Sequence, residues 1–369
     1  MRILEAELRL VSLPLVRPFR TSFGEESTKD ALLVRLQTDG AVGWGECVAS
    51  PEPRYSEEFI GGAWLVLRDH LMPGLARSGE ITAESLPDAL RWLRGNRMAR
   101  AALEMAVLDA ELRAADRSLA DHLGAERDRV PCGVSVGIAS SVDALIDQVT
   151  GYVEQGYRRV KLKIEPGLDV ERVSAIRNAF PRVPLSVDAN AAYRLADLPV
   201  FEALDALELA MIEQPLGHED LMDHAALQRR ITTPVCLDES IRSVDDTRAA
   251  ITMGACRIVN IKAGRVGGLV EARRIHDVAR GRGIPVWCGG MLETGIGRAA
   301  NLALAALPGF TLPGDTSASE RYFAEDVTPP FVLESDGTMK VPTGPGLGVE
   351  PVEERLAACT VRVERVDLG

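Results

Sequence analysis

Histidine is scarce in this sequence, with five residues in 369. His70, His122, His218, His224 and His276 fall in helical or connecting stretches, and none ends a strand-like run. That excludes a histidine base from the strand ends and leaves structural or surface roles for all five. The six cysteines (Cys47, Cys132, Cys236, Cys256, Cys288 and Cys359) contain no C-x-x-C pair. The spacing excludes a zinc site and a disulfide framework. Several lie in apolar runs, where a thiol behaves as a small hydrophobe, so a reducing cytoplasm is expected. No apolar run reaches the roughly 18 residues of a membrane span. The opening stretch MRILEAELRLVSLPL alternates and carries charge, so it reads as a strand rather than a secretory signal. Positive charge is in deficit. A formal net charge of −12 disfavours nucleic acid and anionic membranes as partners.

What is present is ordinary for a soluble globular protein: 46% hydrophobic and 26% charged residues. The length exceeds one ordinary domain, since a barrel of roughly 250 residues leaves about 120 over. Residues 1–125 read as an α+β unit, with strands over 3–15 and 30–48 broken by Thr38-Asp39-Gly40, then helices over 56–72, 84–94 and 98–115. From Cys132 the pattern changes to short apolar runs alternating with helical stretches. The runs are 132–138, 159–164, 184–189, 209–214, 234–238, 257–262, 285–289 and 310–313. Strands alternating with helices imply parallel βαβ units, and eight of them imply a closed barrel. A Pro/Gly-rich tail follows from about 316. The expected division is therefore 1–125, a barrel over 126–320, and a segment over 321–369 that packs back on the first unit.

The polar residues at the ends of these runs carry the functional argument. Lys163 ends RVKLK, Asp188 ends PLSVD, Glu213 ends LAMIE, Asp238 ends PVCLD and Lys262 ends RIVNIK. Their separations are 25, 25, 25 and 24 residues. One βα unit takes about that length, at roughly 250 residues over eight units. Five charged groups therefore recur at the C-terminal ends of adjacent strands, where barrel active sites are built. Three neighbouring carboxylates need a strong counter-charge, and an all-oxygen set favours Mg²⁺ or Mn²⁺ over zinc. A lysine must lose roughly 2–3 units from a pKa near 10.4 to act as a base at neutral pH. Lys161 shares a strand face with Lys163. It is placed to depress the pKa of Lys163 and to bind a substrate carboxylate. Asn190 bears the same relation to Asp188; it either supports the site or caps the following turn. Glu239 points to the other side of its strand from Asp238, and either reaches Lys262 as a support or faces helix and solvent. The set suits removal of the proton beside a substrate carboxylate, with a lysine on each face of the carbon.

These residues, with the segments PFRTSFG (18–24), VKLKIEPG (160–167), VDANAAY (187–193), IEQPL (212–216), CLDES (236–240), VNIKAGRVGG (259–268), GGMLETGIGR (289–298) and LPGDTSAS (312–319), resemble the enolase superfamily. Within it the sequence is similar to the muconate-lactonising-enzyme subgroup, with K-x-K on the second barrel strand and lysine on the sixth. The match is best with the o-succinylbenzoate synthase / N-acylamino acid racemase family. The superfamily's use of a lysine or histidine base with Mg²⁺ is general. The resemblance implies a modified TIM barrel, (β/α)7β, with an N-terminal α+β capping domain completed by the C-terminal tail. It implies that Asp188, Glu213 and Asp238 bind Mg²⁺, and that Lys163 and Lys262 face each other across the substrate α-carbon. It assigns substrate contacts to Phe19 and Phe23 of a cap loop that helps close the pocket, and to Tyr55, Lys161, Ser135, Asn190, Gly289, Gly290, Met291, Leu292 and Tyr322. The implied reactions are dehydration to o-succinylbenzoate, a step of menaquinone synthesis, and racemisation of N-succinylamino acids. A homo-oligomer built from dimers, in the form of an octamer, is also implied.

Simpler roles exist for the pocket positions. Phe19 and Phe23 suit an interdomain core, Gly289 and Gly290 a turn, and Ser135 a buried hydroxyl bonded to backbone. A dipeptide epimerase and a muconate cycloisomerase share the same lysines and acids. A catalytically dead barrel would show lost lysines or acids, and none is lost.

Overall fold

The structure is a computed structural model that describes residues 1–368. Strands β1 (Ile3–Thr21) and β2 (Gly24–Thr38) form one long antiparallel hairpin, paired from Ile3 with Thr38 to Thr21 with Gly24. The paired region extends beyond the apolar runs at 3–15 and 30–48. The distal half, VRPFRTSFGEESTK, is polar and lacks the alternation of a half-buried strand. It pairs through its backbone, with a register shift between Pro14 and Phe19. Strand β3 (Val42–Cys47) adds to β2. The sheet is covered by the helix Arg97–Ala114, which is buried along most of its length. Gly43 and Gly45 permit that contact. A Cβ at either position would lie 2.0 Å from a helix carbonyl, that of Ala106 or Ala102. The helix expected over 56–72 runs on as Ile60–Val66, a π-turn Leu67–Leu71 and Met72–Arg77. That expected over 84–94 shrinks to the turn Leu86–Ala89, which begins with Pro87 in its first turn.

After the short β4 (Arg129–Pro131) come seven parallel strands: β5 (Gly133–Val136), β6 (Arg159–Lys163), β7 (Leu185–Asp188), β8 (Ile212–Glu213), β9 (Val235–Leu237), β10 (Ile258–Ile261) and β11 (Val286–Cys288). They pair in chain order as one sheet. The eighth run, 310–313, does not form a regular strand. It makes single parallel bridges, Phe310 to Val286 at one sheet edge and Gly314 to Cys132 beside the other. Pro313 has no N–H for a ladder, which explains the interruption. The result is a (β/α)7β barrel closed by a segment. Inside it Trp287, Met211, Cys236 and Ile258 form a small cluster apart from the main core.

The tail contributes β12 (Thr338–Lys340), which pairs with β4, and β13 (Thr360–Val366), which pairs with β1 from Ala6–Val366 to Val11–Thr360. The cap sheet is thus β13-β1-β2-β3, built from both ends of the sequence. All six cysteines are free thiols. No helix among the described residues is long and apolar enough to cross a membrane.

Candidate active site

Parallel pairing puts every strand of the barrel in the same direction, so residues at successive strand ends meet at one rim. Lys163 and Asp188 are register partners across β6 and β7. Asp188 and Glu213 are partners across β7 and β8. Lys163 Nζ lies 2.7 Å from Asp188 Oδ2 and donates to Asn190 Oδ1 at 2.7 Å. Lys161 Nζ lies among three carboxylates: Glu213 at 2.7 Å, Asp315 at 2.8 Å and Asp188 at 3.1 Å. On the far side Lys262 Nζ lies 2.8 Å from Asp238 Oδ2 and 3.1 Å from the Tyr55 hydroxyl. Arg265 also pairs with Asp238.

These groups are buried, and burial sets their acidity. For Asp188 burial opposes ionisation, but Lys163 and Lys161 prevail and its carboxyl titrates well below the usual range. For Glu213 burial prevails, helped by the negative charge of Asp188, and its pKa rises. Burial alone would lower the pKa of Lys161, but Asp315, Glu213 and Asp188 hold the proton on and raise it. Lys262 is likewise raised against burial, by Tyr55, Glu239, Glu213 and Asp188. The expected role of Lys161 as a positive neighbour of Lys163 is therefore qualified, because its charge is compensated by three carboxylates.

The barrel rim is also where the backbone is unusual. Asn190, Ala191, Gln214 and Leu292 have positive φ (43°, 62°, 36° and 56°), each just beyond a strand end. Non-glycine residues in that region cost of order 1–3 kcal/mol each and cluster at functional sites. Asn190 in this conformation accepts from Lys163 and donates to Glu239 Oε1 at 3.0 Å. Glu239 is therefore tied to the site through Asn190, despite its opposite parity to Asp238.

A cavity opens over the lysines. It is lined by Lys161, Lys163, Lys262 and Asn190 from the barrel and by Phe19, Phe23 and Tyr55 from the cap. Ser135, Gly290, Met291, Leu292 and Tyr322 complete the expected set. Among the described residues the buried Ser135 hydroxyl has no hydrogen-bond partner. Gly289 does not line the cavity. It lies behind Lys262, where a Cβ would come 2.7 Å from Lys262 Cε and 2.3 Å from Asn260 Oδ1. Its lack of a side chain leaves room for Lys262 and Asn260.

Asp188, Glu213 and Asp238 lie beneath the lysines that line the cavity, paired with them and essentially inaccessible. Among the described residues, no three histidine, cysteine or acidic side chains gather closely enough to hold a metal ion. The three acids turn to lysines and Arg265 instead. Their chemistry nonetheless suits a hard dication: they are all-oxygen donors on adjacent strand ends, already compensated by positive charge.

Residues 5–124 match the mandelate racemase / muconate lactonizing enzyme N-terminal domain, and residues 144–355 match the enolase C-terminal domain-like family. The chain belongs to the enolase superfamily. It is 58% identical to an N-succinylamino acid racemase of an Amycolatopsis species, over 98% of each chain. It is 49% identical to an o-succinylbenzoate synthase of Geobacillus kaustophilus, over 93% of this chain and 92% of that one. A solved enolase-superfamily structure from Listeria innocua superposes with a TM-score of 0.95 at 44% identity, over 100% of both chains.

This enolase-superfamily site also contains residues that the strand-end spacing alone does not single out. Arg159 pairs with Asp315 and lies 4.6 Å over the Trp287 ring; Lys161 Nζ lies 4.8 Å over the same ring. Arg159, Lys161 and Lys163 alternate along β6 on one face, so strand parity was a usable signal. Asn260 precedes Lys262 by two residues and donates to Glu213 at 2.7 Å, so the same signal applies. Arg265 and Lys29 had none: one sits on a turn of helix after β10, the other on a cap strand.

Proposed function

We propose that this protein removes the α-proton of an N-acylated amino acid or of a cyclohexadiene carboxylate. The outcome is racemisation of N-succinylamino acids, dehydration to o-succinylbenzoate as in menaquinone synthesis, or both. The observation that carries the reading is the placement of Lys163 and Lys262 in one cavity wall-to-wall, on either side of a row of buried acids. Asp188, Glu213 and Asp238 would hold Mg²⁺, with Mn²⁺ able to replace it. When bound, the metal would stabilise the negative charge that develops on the substrate carboxylate.

The chain's own residues do the rest. One lysine in its neutral form takes the α-proton as the C–H bond breaks, and the electron pair moves into the carboxylate. In racemisation the opposite lysine returns a proton to the other face. In dehydration Lys163 passes its proton to the departing hydroxyl, so that water leaves and the ring becomes aromatic. Lys262 then remains a cation and steadies the anion. Lys262 becomes a competent base only when the acidic groups around it are engaged elsewhere, because they hold its proton on. Tyr55 keeps Lys262 aligned from the cap side. We further propose that the functional unit is a homo-oligomer of dimers.

A dipeptide epimerase is the second reading. It would need a free carboxylate for the dipeptide amino group, and Asp315 is already bound to Arg159 and Lys161. The test is a side-by-side assay with Mg²⁺: dehydration of the cyclohexadiene precursor against racemisation of N-succinyl and N-acetyl amino acids. Lys163→Ala should lose both activities, and Lys262→Ala should lose racemisation. Full activity in either variant would refute the two-lysine assignment. Activity in neither arm of the unmodified protein, with deuterium exchange on a dipeptide, would transfer the mechanism to the second reading.

A further inference from the structure

The cavity contains a cation that the proton-transfer chemistry does not use. Lys29 on β2 is 4% exposed and lines the cavity from the cap. Among the described residues its ammonium makes a single hydrogen bond, 2.9 Å to the carbonyl of Met291. Among the described residues no carboxylate comes within ion-pair distance of it; the buried ion pairs beneath the cavity all belong to other cations. Glu46, buried nearby, is committed to Thr294 and to the N–H of Gly297. Glu26 also lines the cavity but is not paired with Lys29. A buried ammonium with donors left over is costly unless an anion completes it.

The position of this lysine says which anion. Met291 bridges the two lysines, its carbonyl to Lys29 and its sulfur 3.5 Å from Lys262 Nζ. Lys29 therefore sits on the Lys262 side of the cavity, on the cap wall, while the acids lie beneath the lysines of the barrel. A substrate whose reacting carboxylate faces the acids can reach Lys29 only with a second acidic group at the other end. We infer that Lys29 is the specificity residue that selects dicarboxylate substrates, by pairing with the carboxylate at the far end of the acyl group. This rests on the acylamino acid reading above and names the part of the acyl group that is read.

The test compares N-succinyl-phenylglycine with N-butanoyl-phenylglycine, in which a methyl replaces the distal carboxylate. A hydrogen bond to a charged group contributes about 1.5–3 kcal/mol, or roughly 10- to 100-fold. The unmodified enzyme should favour the succinyl substrate in KM by that factor. Lys29→Met should collapse the preference, chiefly by raising KM for the succinyl substrate, with kcat much less affected. Lys29→Gln, which keeps a donor for the Met291 carbonyl, should collapse it too; Lys29→Arg should restore part of it. The butanoyl substrate also reports whether each variant is folded. Equal loss on both substrates, or an unchanged preference in a folded variant, overturns the assignment of Lys29. Absence of turnover of either substrate by the unmodified protein would instead overturn the functional reading, and this one with it.

Discussion

Gly289→Ala tests the geometry of the lysine pair without touching a charged group. The added methyl would lie 2.3 Å from Asn260 Oδ1 and 2.7 Å from Lys262 Cε, where ordinary contact begins at 3.4 Å. One or both side chains must retreat by roughly 1 Å, a misplacement that can cost about 100-fold in rate. Asn260 holds Glu213 at 2.7 Å, so a retreat there also disturbs the acid row. Overpacking adds a stability loss of about 1–3 kcal/mol. Racemisation kcat should fall by about two orders of magnitude. Lys163-dependent exchange of the α-proton from its own face should survive better, because Lys163 lies on the opposite wall. Gly217→Ala is the control, since a Cβ there meets nothing within 4 Å. If a folded Gly289→Ala protein kept activity within threefold of its parent, the claim that this glycine makes room for Lys262 would be wrong.

Two further predictions concern buried carboxylates. Glu104 of the cap helix accepts from the N–H of Val270, and burial raises its pKa from 4.5 to about 7. Its contribution to stability is complete below pH 4.5 and is lost as pH rises through 7. Glu104→Gln should therefore gain on the parent by about 3 kcal/mol between pH 4 and 8 in chemical denaturation; a gap that does not change with pH refutes this. Asp315 has the opposite sign. Burial opposes its ionisation, but Lys161 and Arg159 bring its pKa from 3.8 down to about 2, so its contribution is present above 3.8 and is lost as pH falls through 2. Asp315→Asn should destabilise by about 3–5 kcal/mol at pH 7, because two buried cations lose their partner. That gap should narrow by about 2 kcal/mol between pH 4 and 2; a loss below 1 kcal/mol at pH 7 would sink the argument.

The barrel was legible because its signal is periodic. Five charged residues at a near-constant spacing can share a rim only if each ends the same kind of unit, and the register pairs Lys163–Asp188 and Asp188–Glu213 follow from that. The eighth strand misled because apolar content alone suggested it, while Pro313 denies it a ladder. The hairpin tip was missed for the converse reason: residues 16–30 pair through backbone groups, which leave no hydrophobic pattern. In the site, residues on the same strand face as a known lysine were within reach of parity, as Arg159 and Asn260 illustrate. Lys29 and Asp315 reach the cavity from a cap strand and the closing segment, and Arg265 reaches Asp238 beneath it from a helical turn. Their meeting depends on tertiary placement, which no local spacing encodes. Gly289 was read as a pocket contact because its neighbours are; only the position of a hypothetical Cβ separates the two roles.

The pairing of β13 with β1 has a consequence for how the molecule comes into being. During synthesis the first hairpin emerges with one edge bare, from Ala6 to Val11, and that edge stays unpaired until residues 360–366 arrive. The entire barrel is made in the interval. An exposed β edge is a template for pairing with another chain. Nascent or truncated molecules should therefore associate through this hairpin. A version of the chain with its order rearranged, so that β13 directly precedes β1, would complete the cap sheet first and escape that hazard.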